Sequence, residues 1–103
     1  MAHPAPAILE LWVTFRASAF PEACTGQQLL GVDLLALDGQ VTGCVGRYVA
    51  QGCVLDQNDT LRLRSCVEAF RRILPLLPTE AVPHFERMRA VAHAVYLELH
   101  ATQ

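Results

Sequence analysis

Apolar and polar residues alternate along residues 7–17, the first patterned segment of the chain. On an extended backbone, one side would carry the apolar residues Leu9, Leu11, Val13 and Phe15. The other side would carry Glu10, Trp12, Thr14 and Arg16. A period of two that includes β-branched and aromatic residues predicts a strand with one buried face. The preceding residues 1–6, rich in proline and alanine, are expected to form a flexible lead.

A second extended run follows over residues 28–37, after a loop punctuated by Pro21 and Gly26. Apolar residues on one side of this run are Leu30, Val32, Leu34 and Ala36. We therefore expect the two runs to pair as antiparallel strands.

Residues 39–51 permit two interpretations. The Asp38-Gly39 step between apolar runs is typical of a hairpin, which would make the segment a third strand. Alternatively Asp38 caps a helix, and Gly52 stands where a helix-ending glycine belongs. The helical stripe would consist of Val41, Cys44, Val45, Tyr48 and Val49. We favour the helix, because the strand would place Gly43 and Arg47 on its core face.

The pattern from residue 57 onward predicts two amphipathic helices. Asp56 or Asp59 can cap the first, and Pro75 bends or ends it. Its apolar stripe comprises Leu63, Val67, Phe70, Leu74 and Leu77, and that of the second comprises Phe85, Met88, Ala92, Val95 and Leu99. The short connection predicts an antiparallel helical hairpin. The expected fold is therefore α+β: an N-terminal antiparallel strand pair, a short helix and a C-terminal helical hairpin, forming a single domain over residues 7–103.

Several short segments resemble a known group of sequences. They are Gly31-Val32-Asp33-Leu34-Leu35, Leu37-Asp38, Gly43-Cys44-Val45, Tyr48-Val49, Arg72-Ile73-Leu74-Pro75-Leu76-Leu77 and Phe85-Glu86-Arg87-Met88. Over roughly residues 30–100 the chain is similar to a group of small uncharacterised bacterial proteins, mostly from GC-rich species, with no assigned function. The resemblance implies a helix over residues 39–51 and implies no mechanism.

The composition narrows the classes of function. The chain is 52% hydrophobic and 17% charged, with a net charge of −2, so nothing global favours nucleic acid or an anionic membrane. No run of about 18 apolar residues predicts a membrane span, and the N-terminus lacks the pattern of a signal peptide. We therefore expect a cytoplasmic protein whose four cysteines are reduced. Their irregular spacing does not indicate a zinc site.

Catalytic, metal and cofactor motifs are not evident. His93 and His100 lie two helical turns apart, too far to chelate one metal unaided. Glu80 and His84 have the i, i+4 spacing, but at a helix start, where glutamate is favoured anyway. No nucleophile-elbow motif occurs, and Cys24 is expected to be the most exposed thiol. We therefore predict no catalytic residue, no metal ligand and no cofactor.

Trp12 is the most informative single residue, because it lies on the strand face that otherwise carries Glu10, Thr14 and Arg16. A large aromatic on a polar face is typical of an interface anchor, although a covering helix would instead make it core. We therefore predict a non-enzymatic protein-interaction module, such as an immunity or antitoxin-like inhibitor or an accessory protein, with these four residues as its interface. The alternatives are a homo-oligomeric structural protein and a small enzyme or ligand-binding domain that uses cysteine and histidine.

Overall fold

A computed structural model describes residues 3–101, which form a mostly helical fold with one small sheet. The helices are α1 (Pro6–Arg16), α2 (Leu34–Ala50), α3 (Gln57–Ile73) and α4 (Val82–Ala101). Strands β1 (Gln28–Leu29) and β2 (Val32–Asp33) form the sheet. Short 3₁₀ turns cover Glu22–Cys24, Leu74–Leu76 and Thr79–Ala81.

The strand predicted for residues 7–17 is wrong, because this segment is helix α1. Its buried residues, Ile8 and Phe15, are seven positions apart and therefore share one face of a helix. Pro6 occupies the first turn, where its missing N–H costs no hydrogen bond. Of the predicted lead of residues 1–6, Met1 and Ala2 lie outside the described residues, and Pro6 already belongs to α1.

An antiparallel strand pair is present, but it is formed by other residues than those predicted. β1 pairs with β2, with Gln28 opposite Asp33 and Leu29 opposite Val32. The residues between the strands, Leu30 and Gly31, have φ values of 50° and 78°. Positive φ at both central residues is the signature of a type I′ turn, whose twist matches that of a two-residue hairpin. The extended run over residues 28–37 is thus split between this hairpin and the first turn of α2.

The helical interpretation of residues 39–51 is confirmed, but the helix begins earlier than predicted. The carboxylate of Asp33 accepts a hydrogen bond from the Ala36 N–H at 3.0 Å and caps α2. Asp38 is therefore not the N-cap but lies within the helix. The other end is as predicted, since Gly52 has a φ of 71° directly after the last turn. There the N–H of the following residue donates to the Tyr48 carbonyl at 2.9 Å.

The two predicted C-terminal helices are confirmed as α3 and α4. Asp56 caps α3 by accepting a hydrogen bond from the Asp59 N–H at 2.7 Å. The helix ends at Ile73, so Pro75 falls in the 3₁₀ turn that follows. α3 and α4 pack against each other across the connection formed by residues 74–81.

Helix α4 occupies the centre of the molecule, because α1, α2 and α3 all pack against it. Its buried residues include Phe85, Met88, Val91, Ala92 and Val95. This central position brings side chains from α1 and α2 onto the first turns of α4, where the site described below lies. Over residues 3–101, none of the helices combines the length and the apolar character needed to cross a lipid bilayer.

Candidate functional site

Trp12 is half-buried on α1 and packs between the core and the solvent. Its ring faces Gly46 of α2, where an added Cβ would lie 3.8 Å from the indole, an ordinary van der Waals distance. The Arg16 guanidinium lies over the same ring, 5.5 Å from the centroid, in a cation–π arrangement. Trp12 therefore contributes to the core and also carries the Arg16 guanidinium over its ring.

The four predicted interface residues do not share one face. A strand would align them, but successive residues of a helix turn by about 100°. Trp12 and Arg16 lie one turn apart on one flank of α1, while Glu10 and Thr14 lie one turn apart on the other. The Thr14 hydroxyl donates to the Glu10 carbonyl at 2.9 Å, which ties this second pair to its own helix.

Between these two flanks α1 exposes apolar side chains. Leu9 is 37% exposed and Val13 is 64% exposed, and they are one helical turn apart. We call Leu9, Trp12, Val13 and Arg16 together the α1 surface. Leu9 and Val13, which the strand interpretation placed in the core, are instead its most accessible apolar residues.

A chain of short hydrogen bonds connects three elements beside this surface. The Ser18 hydroxyl, two residues after the end of α1, lies 2.6 Å from Nδ1 of His84 on α4. Nε2 of the same ring lies 2.7 Å from the Asp38 carboxylate on α2. We call Ser18, His84 and Asp38 the relay. His84 is only 5% exposed, and its ring is surrounded by Phe15, Phe20 and Phe85.

When the imidazole of His84 is neutral, the hydrogen-bonding capacities of the three groups assign the proton positions in the relay. An ionised carboxylate can only accept, so Nε2 of His84 must carry a proton and donate it to Asp38. In that tautomer Nδ1 has a lone pair and accepts from the Ser18 hydroxyl. The Asp38 carboxylate is held from its own helix by the Thr42 hydroxyl at 3.5 Å. The histidine is therefore oriented to act as a base toward the serine.

A solvent-open groove of about 420 Å³ borders the relay at Ser18. It is lined by Val13, Thr14, Ala17, Ser18 and Arg87. Ser18 thus belongs both to the relay and to the groove wall, while His84 and Asp38 lie behind it. Arg87 contributes a cation to this lining.

A second polar cluster joins α2 to the start of α3. Arg47 donates to both carboxylate oxygens of Asp59, at 2.6 and 2.9 Å, and Arg62 donates to one of them at 3.2 Å. These hydrogen bonds, chiefly those from Arg47, hold the pKa of the Asp59 carboxyl below its usual value. Because each partner is satisfied within the protein, this cluster serves to connect the two helices.

The cysteines are mostly core residues. Cys24, Cys44 and Cys66 are buried, so the expectation that Cys24 is an exposed thiol is wrong. Burial is the main cause that raises the pKa of all three thiols, and the pKa of Cys66 reaches about 12. A thiol with a raised pKa is a poor nucleophile at neutral pH, so these three do not carry the marks of reactive cysteines.

From the sequence, the three relay residues could not be recognised as one cluster. His84 was noted for its spacing from Glu80, Asp38 as a helix cap, and Ser18 was not singled out. A faint signal existed, since a polar residue at position 84 interrupts the apolar start of α4. Over residues 3–101, no group of three or more His, Cys, Asp or Glu side chains is arranged to hold a metal ion.

Comparisons of the chain with protein-family models, with curated proteins and with solved structures find no match.

Proposed function

We propose that this protein is a protein-interaction module that binds its partner through the α1 surface. The observation that supports this most directly is the exposure of Val13 and Leu9 beside the Trp12–Arg16 stack. Fully burying a wholly exposed valine or leucine side chain is worth about 1.5–3 kcal/mol, and Val13 at 64% and Leu9 at 37% exposure would each give a partner part of that gain. A half-buried tryptophan that is already held by the core adds contact area at little cost in side-chain entropy.

The exposed apolar residues of the other helices do not form such a pair. Within residues 3–101, α2, α3 and α4 each expose one large apolar side chain, Leu35, Leu61 and Leu97 respectively. Single exposed leucines are normal on protein surfaces. α1 alone among the four helices exposes two, and they are stacked in consecutive turns.

The charge on the α1 surface indicates the chemistry of the partner. Arg16 stacks on Trp12 and forms no ion pair with any residue between positions 3 and 101. Glu10, the acidic residue of α1, lies on the opposite flank of the helix. We therefore propose that the occupant is an amphipathic helix of another protein, with an apolar stripe for Leu9 and Val13 and a carboxylate for Arg16. An immunity or antitoxin-like inhibitor or an accessory protein would act through binding of this kind.

We also propose that the module acts in the cytoplasm. Cys24, Cys44 and Cys66 are buried as thiols rather than joined in disulfides. Retained thiols are typical of a reducing compartment.

Site-specific photo-crosslinking in the native host tests the binding surface. A photoreactive phenylalanine analogue is placed at Val13 or, as the matched control, at Leu61 of α3, which is 50% exposed. We expect a defined crosslinked product from position 13 and none of that mass from position 61. The crosslinked peptide should be an acidic amphipathic helix.

The purified pair then gives the quantitative test. Val13→Glu and Arg16→Glu should each weaken binding at least about 10-fold, equivalent to about 1.4 kcal/mol, whereas Leu61→Glu should leave Kd unchanged. Equal weakening by all three substitutions, or crosslinking at both positions, would refute the α1 surface. A crosslink between two copies, with a dimer mass that Val13→Glu abolishes, would replace this proposal by the homo-oligomeric alternative.

A further inference from the structure

We propose that Ser18 is a nucleophile that accepts an acyl group from small carboxylic esters. In this proposal His84 is its general base and Asp38 is the residue that positions the histidine. The activity would be additional to partner binding, because it rests on the relay; of the α1 surface, Val13 also lines the groove beside Ser18.

The relay has the two hydrogen bonds that an activated serine requires. The nucleophile lies within hydrogen-bond distance of a base, at 2.6 Å, and the base is oriented by a carboxylate at 2.7 Å. The roles of the ring nitrogens are exchanged relative to the usual serine–histidine–aspartate triad, since here Nδ1 faces the serine and Nε2 the aspartate. Either nitrogen of an imidazole can act as the base, because the carboxylate decides which one keeps the lone pair.

The burial of His84 distinguishes this arrangement from an ordinary hydrogen bond on the protein surface. His84 is 5% exposed and lies among aromatic rings, the closest being Phe15, whose ring centroid is 5.4 Å away. Such packing keeps the imidazole in one orientation. Ser18, by contrast, lines the open groove, which gives an ester a route to the nucleophile and to the histidine behind it.

The reaction needs only the ester and water. The Ser18 oxygen attacks the ester carbonyl carbon as its proton moves to Nδ1 of His84, giving a tetrahedral intermediate. The ester C–O bond then breaks, and the leaving alkoxide takes the proton from Nδ1. Water attacks the acyl-serine in the same way, giving its proton to His84, and the serine oxygen recovers it as the carboxylic acid leaves. The sum is ester plus water giving acid plus alcohol.

Arg87 is the group in the groove that can stabilise the negative charge of the intermediate. The backbone N–H of Ser18 is engaged, because it donates to the Phe15 carbonyl at 3.0 Å. A guanidinium has five donors and remains charged, so Arg87 in the groove lining can face the carbonyl oxygen.

Active-site labelling and turnover test the proposal together. The intact protein is incubated with a fluorophosphonate probe, and the adduct is located by peptide mass spectrometry; hydrolysis of p-nitrophenyl acetate is measured in parallel. We expect a single adduct on Ser18, and turnover that Ser18→Ala lowers at least about 100-fold, because the variant loses the nucleophile and with it the contribution of the base that acts on it. The matched control is Ser65→Ala on α3, which should label and turn over as the parent does.

The conservative variant Asp38→Asn distinguishes catalysis from a purely structural tie. It retains the shape of the side chain but removes the carboxylate that fixes the histidine tautomer, so labelling should slow at least about 10-fold while circular dichroism is unchanged. No adduct on Ser18, labelling of Ser65 at the same rate, or equal labelling of Asp38→Asn and the parent would overturn the proposal. None of these outcomes alters binding at the α1 surface, so the two proposals fail separately.

Discussion

At the scale of single residues, the positions of the carboxylates determine what each one does. Asp33 and Asp56 cap helices, Asp59 is held between two arginines, and Asp38 contacts a buried histidine. Sequence alone predicted a cap at Asp56 or Asp59, because an acidic residue preceding a helical stripe is a local signal, and the structure has Asp56 as the cap. It could not predict the role of Asp38, since its partner is 46 positions away along the chain.

Asp59 should stabilise the fold in a pH-dependent way. Because the Arg47 contacts lower the pKa of this carboxyl from its usual 3.8, its contribution is present at neutral pH and is lost as the pH falls below that value. We expect Asp59→Asn to lower the free energy of unfolding by about 1.5 kcal/mol at pH 7, since hydrogen bonds to charged groups are lost and the half-exposed Arg47 is partly screened. Urea denaturation of parent and variant between pH 7 and pH 3 measures the difference, which should narrow toward acid.

The exposed pair of Arg64 and Glu68 provides the control for Asp59. Both side chains are more than half exposed, at 59% and 63%. Glu68→Gln should therefore change the free energy of unfolding by less than about 0.5 kcal/mol. A difference for Asp59→Asn that stays constant down to pH 3 would contradict the ionic origin of its effect.

At the scale of elements, a helix could be predicted from the sequence where its local pattern fitted a helix alone, and not where the pattern fitted a strand as well. α3 carried a cap and an apolar stripe that fits only a helix, and it was predicted. Residues 7–17 fit both periods, because Phe15 can follow Val13 on a strand or Ile8 on a helix face. Eleven residues are too few for periodicity to decide between these. What decides is the packing of Ile8 and Phe15 onto the rest of the core, which is a tertiary effect.

The β1–β2 hairpin stores strain at one residue that a substitution can relieve. Leu30 adopts a φ of 50° while its side chain is 63% exposed, so it has an unfavourable backbone conformation with little burial in return. Asparagine tolerates this conformation and precedes glycine in favoured type I′ turns. We expect Leu30→Asn to raise the free energy of unfolding by about 1 kcal/mol, measured by urea denaturation.

The neighbouring glycine gives the opposite expectation. Gly31 has a φ of 78° with open space around its α-carbon, so Gly31→Ala meets no clash and should destabilise by about 1 kcal/mol through backbone strain alone. Destabilisation by Leu30→Asn as well would show that the leucine side chain makes a contact worth more than the strain, and that the turn is not the source of the cost.

At the scale of the whole molecule, the central position of α4 creates the site. The relay needs the segment after α1, the second turn of α2 and the beginning of α4 to meet, and Ser18 and His84 are 66 positions apart. Periodicity reports which face of each helix is apolar but not which helices adjoin. The site could therefore not be predicted from a single sequence, whereas the helices of the second half of the chain could.

The core as a whole can be tested through its thiols. Cys24, Cys44 and Cys66 should react with a disulfide reagent only when the protein unfolds, at least about 100-fold more slowly than in denaturant, because burial blocks access and raises each thiol pKa. Cys53, which is only half-buried, should react first. Mass spectrometry of the labelled protein over time, with Cys53→Ala as the control that removes the fast phase, separates the two classes.

Because Cys24 precedes the hairpin while Cys44 and Cys66 lie on α2 and α3, equal slow rates for all three would mean that the hairpin region and the helices open together. A fast reaction at Cys24 alone would instead show that residues 22–33 open independently and that the core is confined to the helices.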